Sequence, residues 1–298
     1  MTIGKRLRRW LLLLHRWCGI ATCLLFVVWF GSGLVMLYVS FPTLTEGERL
    51  ARLRPIDWAQ VRLTPADAIA VSGLSEPPQT ISLEMLGDAP VYRMLDWDGM
   101  PHTISAAAGE PSQPVDAPAA LKLIQLVPGA VSPRLVATVQ HDQWTVAERY
   151  RMDRPLHRVA LGDAAGTELY VSSQTGAVVL DTVAQERFWN WFGAVPHWLY
   201  LTPLRSHQPA WRQVVIWTSA ACIGVAVSGT VLGLLRLRIR RRDKGARWSP
   251  YRGWALWHHL SGLLGGLFLL GWIVSGWLSV DPGRMFAGVP TPRSAQER

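Results

Sequence analysis

Cysteine is scarce in this 298-residue chain: Cys18, Cys23 and Cys222 are all there is, and each lies in a long apolar run. The polar stretch from residue 41 to residue 210 has none. A disulfide framework is therefore excluded there, and that stretch must be held by a core of its own or by the apolar part of the chain. No pair stands in C-x-x-C spacing, so the cysteines read as small apolar packing residues. A glycine-rich phosphate loop, an H-E-x-x-H zinc helix and a G-x-S-x-G elbow are also missing, which leaves those chemistries without sequence support. Nothing resembles a flavin or nicotinamide site. The first apolar run is too long for a cleavable signal peptide, and no Ala-x-Ala-like site follows it.

Apolar runs are what the chain has in quantity. Residues 11–39, 211–235 and 254–280 are almost wholly apolar, and each exceeds the roughly 20 residues that span a bilayer. Three transmembrane helices are expected. Lys5, Arg6, Arg8 and Arg9 lie in the stretch 1–10 before the first. The loop 236–253 between the second and third holds Arg236, Arg238, Arg240, Arg241, Arg242, Lys244, Arg247 and Arg252 against one acid, Asp243. Both basic segments are expected in the cytoplasm. Residues 41–210 and the tail 281–298 then fall outside. The stretch 41–210 has 13 Lys and Arg against 18 Asp and Glu, a net of −5, so the overall +9 is a topological signal and does not call for nucleic acid. Trp10, Trp17, Trp211, Trp254 and Trp257 cluster near the ends of the runs, as an aromatic belt in contact with membrane lipids requires.

Two of these runs share a pattern that opens with histidine. His15 is followed by Gly19, Trp29, Ser32 and Gly33, and His258 by Gly262, Trp272, Ser275 and Gly276. Counted from each His, Gly falls four residues on, Trp fourteen, Ser seventeen and Gly eighteen. Both histidines enter about one turn from the cytoplasmic side, so their expected depths agree. An imidazole in hydrocarbon is costly and marks a functional site by default. Two at one depth point to a single metal centre, with haem iron as candidate. Gly19 and Gly262 sit one turn along on the same faces, where a small residue lets a porphyrin lie close to the backbone. Arg9, Arg16 and Arg252 are candidate partners for haem propionates. The alternative is that both histidines are interfacial polar residues bonded to headgroups or carbonyls. His259 aligns with Arg16 and faces about 100° away from His258 on a helix, which makes it the reserve ligand. His197 and His207, just before the second span, are candidates for a second, outer-face site. The alternative is an interfacial role among Trp189, Trp191, Trp198 and Tyr200. For His102, His141 and His157 ordinary surface or packing roles are expected. The small-residue run Gly224–Gly229 reads as close helix packing.

The external stretch repeats as well. Pro90-Val-Tyr-Arg-Met is followed by Asp98-Gly99 and Ser105-Ala-Ala-Ala-Gly109-Glu, and Pro155-Leu-His-Arg-Val by Ala165-Gly166 and Ser172-Ser-Gln-Thr-Gly176-Ala. Each unit reads as strand, glycine turn, strand, glycine turn, with Leu169, Val171 and Val178 among strand-forming neighbours. Thr64-Pro65-Ala-Asp67 predicts a helix start before the first unit, and Ser132-Pro133 one before the second. Residues 107–118 read as a linker. Two tandem helix-then-meander modules are expected, 41–117 and 118–185, each small enough to need the other. An interfacial segment, 186–210, follows.

The stretch Glu168-Leu-Tyr-Val-Ser-Ser-Gln-Thr-Gly176-Ala-Val-Val resembles the end of a PepSY domain. The helices opening His15-Arg-Trp and Trp257-His-His resemble those of the PepSY-associated transmembrane family. Glu186-Arg-Phe-Trp-Asn-Trp-Phe-Gly-Ala-Val-Pro-His197-Trp-Leu-Tyr is similar to that family's approach to its second helix. The resemblance covers nearly the whole chain. It implies a three-helix transmembrane α bundle plus a periplasmic α+β domain of two PepSY-like helix/antiparallel-strand modules, in the bacterial inner membrane. It further implies b-type haem on membrane histidines, with one haem expected on His15 and His258 and a second as an option. Electron transfer to a periplasmic substrate would follow, Fe(III)-siderophore in iron uptake being the favoured class, as in ferrisiderophore reductases. The electron donor lies elsewhere and is unidentified. The chain has three spans where the reductases commonly have four. The rival expectation is a non-catalytic membrane sensor whose PepSY domains bind a peptide, metal complex or partner protein.

Overall fold

The computed structural model describes residues 3–237 and 248–286. In chain order the elements are α1 (Ile3–Met36), α2 (Glu46–Ala51), α3 (Pro65–Val71), β1 (Thr80–Leu86), β2 (Ala89–Leu95), β3 (Pro101–Ser105), α4 (Ala117–Gln125), β4 (Arg134–Val139), β5 (Leu156–Ala160), β6 (Glu168–Ser172), β7 (Val178–Thr182), α5 (Ala184–Asn190), α6 (Ala194–His197), α7 (Thr202–Arg205), α8 (Gln208–Arg236) and α9 (Gly253–Ser279). Two compact units result: one of residues 1–31 and 207–298, and one of residues 32–206.

Helices α1, α8 and α9 are long and apolar enough to cross a membrane. Little of each apolar window is buried inside the protein, 6%, 28% and 11% respectively. Apolar helices that the protein itself does not cover need an apolar medium around them. Helix α1 begins well before residue 11 and takes in Lys5, Arg6, Arg8 and Arg9. Between α8 and α9, Arg238, Arg240, Arg241, Arg242, Lys244 and Arg247 lie outside the described residues, as does the tail from residue 287. At the opposite end of this pair, the Arg212 guanidinium donates to the carbonyls of Val280 and Asp281 and ties the start of α8 to the end of α9.

The second unit is α+β. One sheet runs β1-β2-β3 and the other β4-β5-β6-β7, both antiparallel and in sequence order. The two share their turns bond for bond. Gly109 N–H donates to Ser105 C=O and Ser105 N–H to Glu110 C=O; Gly176 N–H donates to Ser172 C=O and Ser172 N–H to Ala177 C=O. Gly109 and Gly176 have φ of 77° and 70°, a conformation that other residues adopt only with strain. The second sheet then continues into β7, whereas the first stops at a single bridge, Ile104 to Pro111. Equivalent residues also meet equivalent helix starts. Tyr92 Oη donates to the Leu63 carbonyl, and His157 Nε2 donates to the Val115 carbonyl. Each of those carbonyls precedes an N-cap, Thr64 of α3 and Asp116 of α4.

The second-sheet core follows the period of two along a strand. Val159, Leu169 and Val171 pack beneath Ala120 and Ile124 of α4. Leu156, Tyr170 and Leu180 face the other way, onto Trp144, Tyr150 and Val195. Each aliphatic side chain buried this fully contributes about 1.5–3 kcal/mol, so the larger sheet anchors the unit without disulfides.

One expectation is corrected. Ser132-Pro133 does not start a helix; it leads into β4. The N–H groups of Val131 and Ser132 both donate to the Leu161 carbonyl, and the β-branched run after Pro133 is extended. The helix of this module is α4, whose N-cap Asp116 accepts from Ala119 N–H, with Pro118 in the first turn. The stretch 107–118 is correspondingly not a free linker. Its Pro111 bridges to Ile104, its Val115 N–H bonds the Ser173 carbonyl, and its last residues start α4.

Candidate metal centre

Within the helical unit His15 of α1 and His258 of α9 come together as a tilted pair, with ring centroids 6.1 Å apart and planes inclined at 38°. Two imidazoles on opposite sides of one metal ion, each nitrogen about 2 Å from it, have centroids about 6 Å apart. The spacing therefore fits one ion between the rings.

Helix α8 fixes the orientation of His15. Its Nδ1 lies 3.1 Å from the Val225 carbonyl and 3.3 Å from Ser228 Oγ. A carbonyl only accepts, so Nδ1 carries the proton and Nε2 keeps its lone pair. A metal-bound histidine is commonly held this way, its second nitrogen donating to a backbone carbonyl. Gly229 makes the room: a Cβ there would stand 2.6 Å from His15 Cε1. Among the described residues His258 has no hydrogen-bond partner, and its side of α9 is exposed.

His259, one residue on, is committed elsewhere. It is 7% exposed, its Nε2 donates to the Gly233 carbonyl at 2.9 Å, and its Nδ1 accepts from Ser249 Oγ at 2.8 Å. Both nitrogens are taken, which makes it a clamp between the last turns of α8 and the entry to α9. The adjacent histidines thus differ in surroundings, His259 buried and bonded at both nitrogens and His258 exposed beside His15.

The glycines and arginines chosen from sequence are less uniform. A Cβ on Gly262 would meet nothing within 4 Å, so the wall of α9 beside His258 is open, whereas one on Gly19 would touch Val225 Cγ1 at 3.9 Å, toward α8. Arg9, Arg16 and Arg252 are all exposed. Arg16 lies over the Trp17 ring and Arg252 occupies the N-cap of α9. None of the three has an ion-pair partner among the described residues.

The run Gly224–Gly229 does more than pack helices, and the signal was its Ser-Gly pair. The same dipeptide recurs at Ser32-Gly33, where it meets His197: Ser32 Oγ lies 3.0 Å from His197 Nδ1, and a Cβ on Gly33 would lie 3.3 Å from His197 Cε1. In each case the hydroxyl meets Nδ1 and the glycine faces Cε1. Ser275-Gly276 is the third such pair, and a Cβ on Gly276 meets nothing within 4 Å. His197 belongs to the second unit, while the exposed His207 precedes α8 in the first. In the α+β unit His157 is buried and bonded at both nitrogens, and His102 pairs with Asp96.

No group of three or more His, Cys, Asp and Glu able to hold a metal ion occurs among the described residues. A zinc site asks three or four ligands of the protein. Haem iron takes one or two ligands from the protein, a number this pair of imidazoles could meet. Compared with family profiles, with curated proteins and with solved structures, the chain finds no match.

Proposed function

We propose that this chain is an inner-membrane electron-transfer protein of the PepSY-associated transmembrane kind. It holds one b-type haem between His15 and His258 and supports reduction of a periplasmic substrate, Fe(III)-siderophore being the favoured class. The observation that carries the reading is the 6.1 Å pair of rings with the His15 Nδ1 proton committed to the Val225 carbonyl. Bound there, haem would supply one-electron chemistry, with His15 and His258 as the residues that would hold it. The chain's own residues set the geometry. Val225, Ser228 and Gly229 aim His15, and His259 fixes α9 against α8 so that His258 stays opposite. Arg9, Arg16 and Arg252, without ion-pair partners among the described residues, are the candidate partners for propionates. The electron donor is a separate molecule.

The paired turns at Gly109 and Gly176, and the equivalent Tyr92 and His157 bonds, support the reading of residues 41–185 as two PepSY-like modules. The charge asymmetry around the spans supports a periplasmic position for them. A reporter active only in the periplasm should work when fused after residue 120 and be silent when fused near Lys244. Activity at Lys244 would reverse the topology and put the histidine pair on the outer side.

The absorption spectrum of the purified, detergent-solubilised chain tests the function. One haem per chain, low-spin, with split α and β bands on reduction, is expected. A chain produced with ample haem and lacking a Soret band would favour the second reading, a membrane-bound binding module, for which a cleft in the α+β unit speaks.

A further inference from the structure

The two sheets do not close completely against each other. Between them lies a cleft of about 330 Å³, within the size of small-molecule sites. Strands β1 and β7 border it, and both are edge strands. Its floor is apolar, formed by Leu86, Leu123, Val127 and Val179.

The charge on its walls is one-sided. Arg49, Arg52, Arg54 and Arg93 line the cleft, and Glu84 is the one acid among the lining residues. The other carboxylates that pair with these arginines, Glu46, Asp181 and Asp88, are not part of the lining. Glu84 is already shared between Arg49 and Arg93. Arg52 engages Asp181 through Nη2 alone, and Arg54 engages Asp88 and the Gly87 carbonyl through Nη1 alone. A guanidinium has five N–H donors, so both retain donors without partners among the described residues. Burial pulls the Arg93 guanidinium below its ordinary value, while hydrogen bonds to Glu46 and Glu84 hold that of Arg49 above its own. Each arginine already meets a carboxylate, and an anion in the cleft would engage the N–H donors that Arg52 and Arg54 leave unused.

We propose that this cleft is a binding site for a small carboxylate with an apolar body, its charge on Arg52 and Arg54 and its body on the Leu86–Leu123–Val127 floor. The site stands independently of the haem reading. Its cationic segment, residues 49–54, takes in the end of α2 and the residues that follow, and a bound carboxylate cross-links that segment to β1 and to the end of α4.

The test uses the full-length chain in nanodiscs of zwitterionic lipid, titrated with 4-phenylbutyrate and, separately, with its neutral amide. Saturable binding of the acid is expected, with the amide weaker by about tenfold or more. Arg52→Gln together with Arg54→Gln should weaken the acid to the level of the amide. Leu126→Trp, which fills the cleft from the end of α4 without touching charge, should weaken acid and amide alike. It also decides the matter if the arginine variant does not fold. Equal affinity for acid and amide, no saturable binding, or unchanged affinity in Leu126→Trp would each overturn the proposal.

Discussion

His15→Ala and His258→Ala should each abolish the low-spin haem spectrum, while His259→Ala should leave it in place. With one imidazole gone, iron is left five-coordinate or is released. The loss should exceed the about 10–100-fold that partners of a metal's ligands command. His259 has no nitrogen to offer, since Gly233 and Ser249 hold both. Its replacement takes the donor from the buried Gly233 carbonyl and leaves the Ser249 hydroxyl only its bond from Tyr251 N–H, at a cost of about 1–3 kcal/mol. That cost should appear as a lower melting temperature of the helical unit with the Soret band intact. Absorption spectra and thermal unfolding of the three variants check both halves. Loss of haem in His259→Ala with retention in His258→Ala would mean that α9 presents its other face.

Gly229→Ala should weaken haem binding although residue 229 carries no ligand. The added Cβ would stand 2.6 Å from His15 Cε1, closer than packed carbons approach, and the imidazole must swing away from the Val225 carbonyl. Overpacking of this kind costs about 1–3 kcal/mol, or about 5- to 150-fold in affinity. Gly33→Ala crowds His197 in the same manner, with 3.3 Å to Cε1, and serves as the control. It should leave the His15–His258 spectrum unchanged. Haem titration of the two variants reads the contrast, and equal affinities would deny Gly229 its positioning role.

The fold was legible in sequence where local chemistry dominates. Three apolar stretches, the glycine turns at 99, 109, 166 and 176, and the Thr64-Pro65 helix start all have physical causes within a few residues, and each element is present. Ser132-Pro133 misled because Ser-Pro opens a helix or a strand equally well. What decided was the Leu161 carbonyl, which lies far along the chain and accepts from both Val131 and Ser132. The true start, Asp116-Ala-Pro118, was hidden in a stretch whose Pro, Ala and Ser content suggested a linker.

At the candidate centre, the repeat singled out His15 and His258, and a spacing pattern can do that much. It does not show which neighbours hold the rings. Val225 acts through its backbone carbonyl and Gly229 through the absence of a side chain, and neither contribution has a signature in the residue type. His259 is similar: only the two bonds it makes in the fold distinguish a clamp from a ligand. The cleft between the sheets had no sequence signal, because its arginines are scattered from residue 49 to residue 93 and acquire a common face only when the modules pack.

The most direct measurement of the central claim is a low-temperature electron paramagnetic resonance spectrum of the oxidised, purified protein. A low-spin ferric signal of a bis-imidazole haem, one per chain and absent in His15→Ala, is the predicted result. A high-spin signal in the wild type, or a low-spin signal that survives His15→Ala, would contradict ligation by this histidine pair.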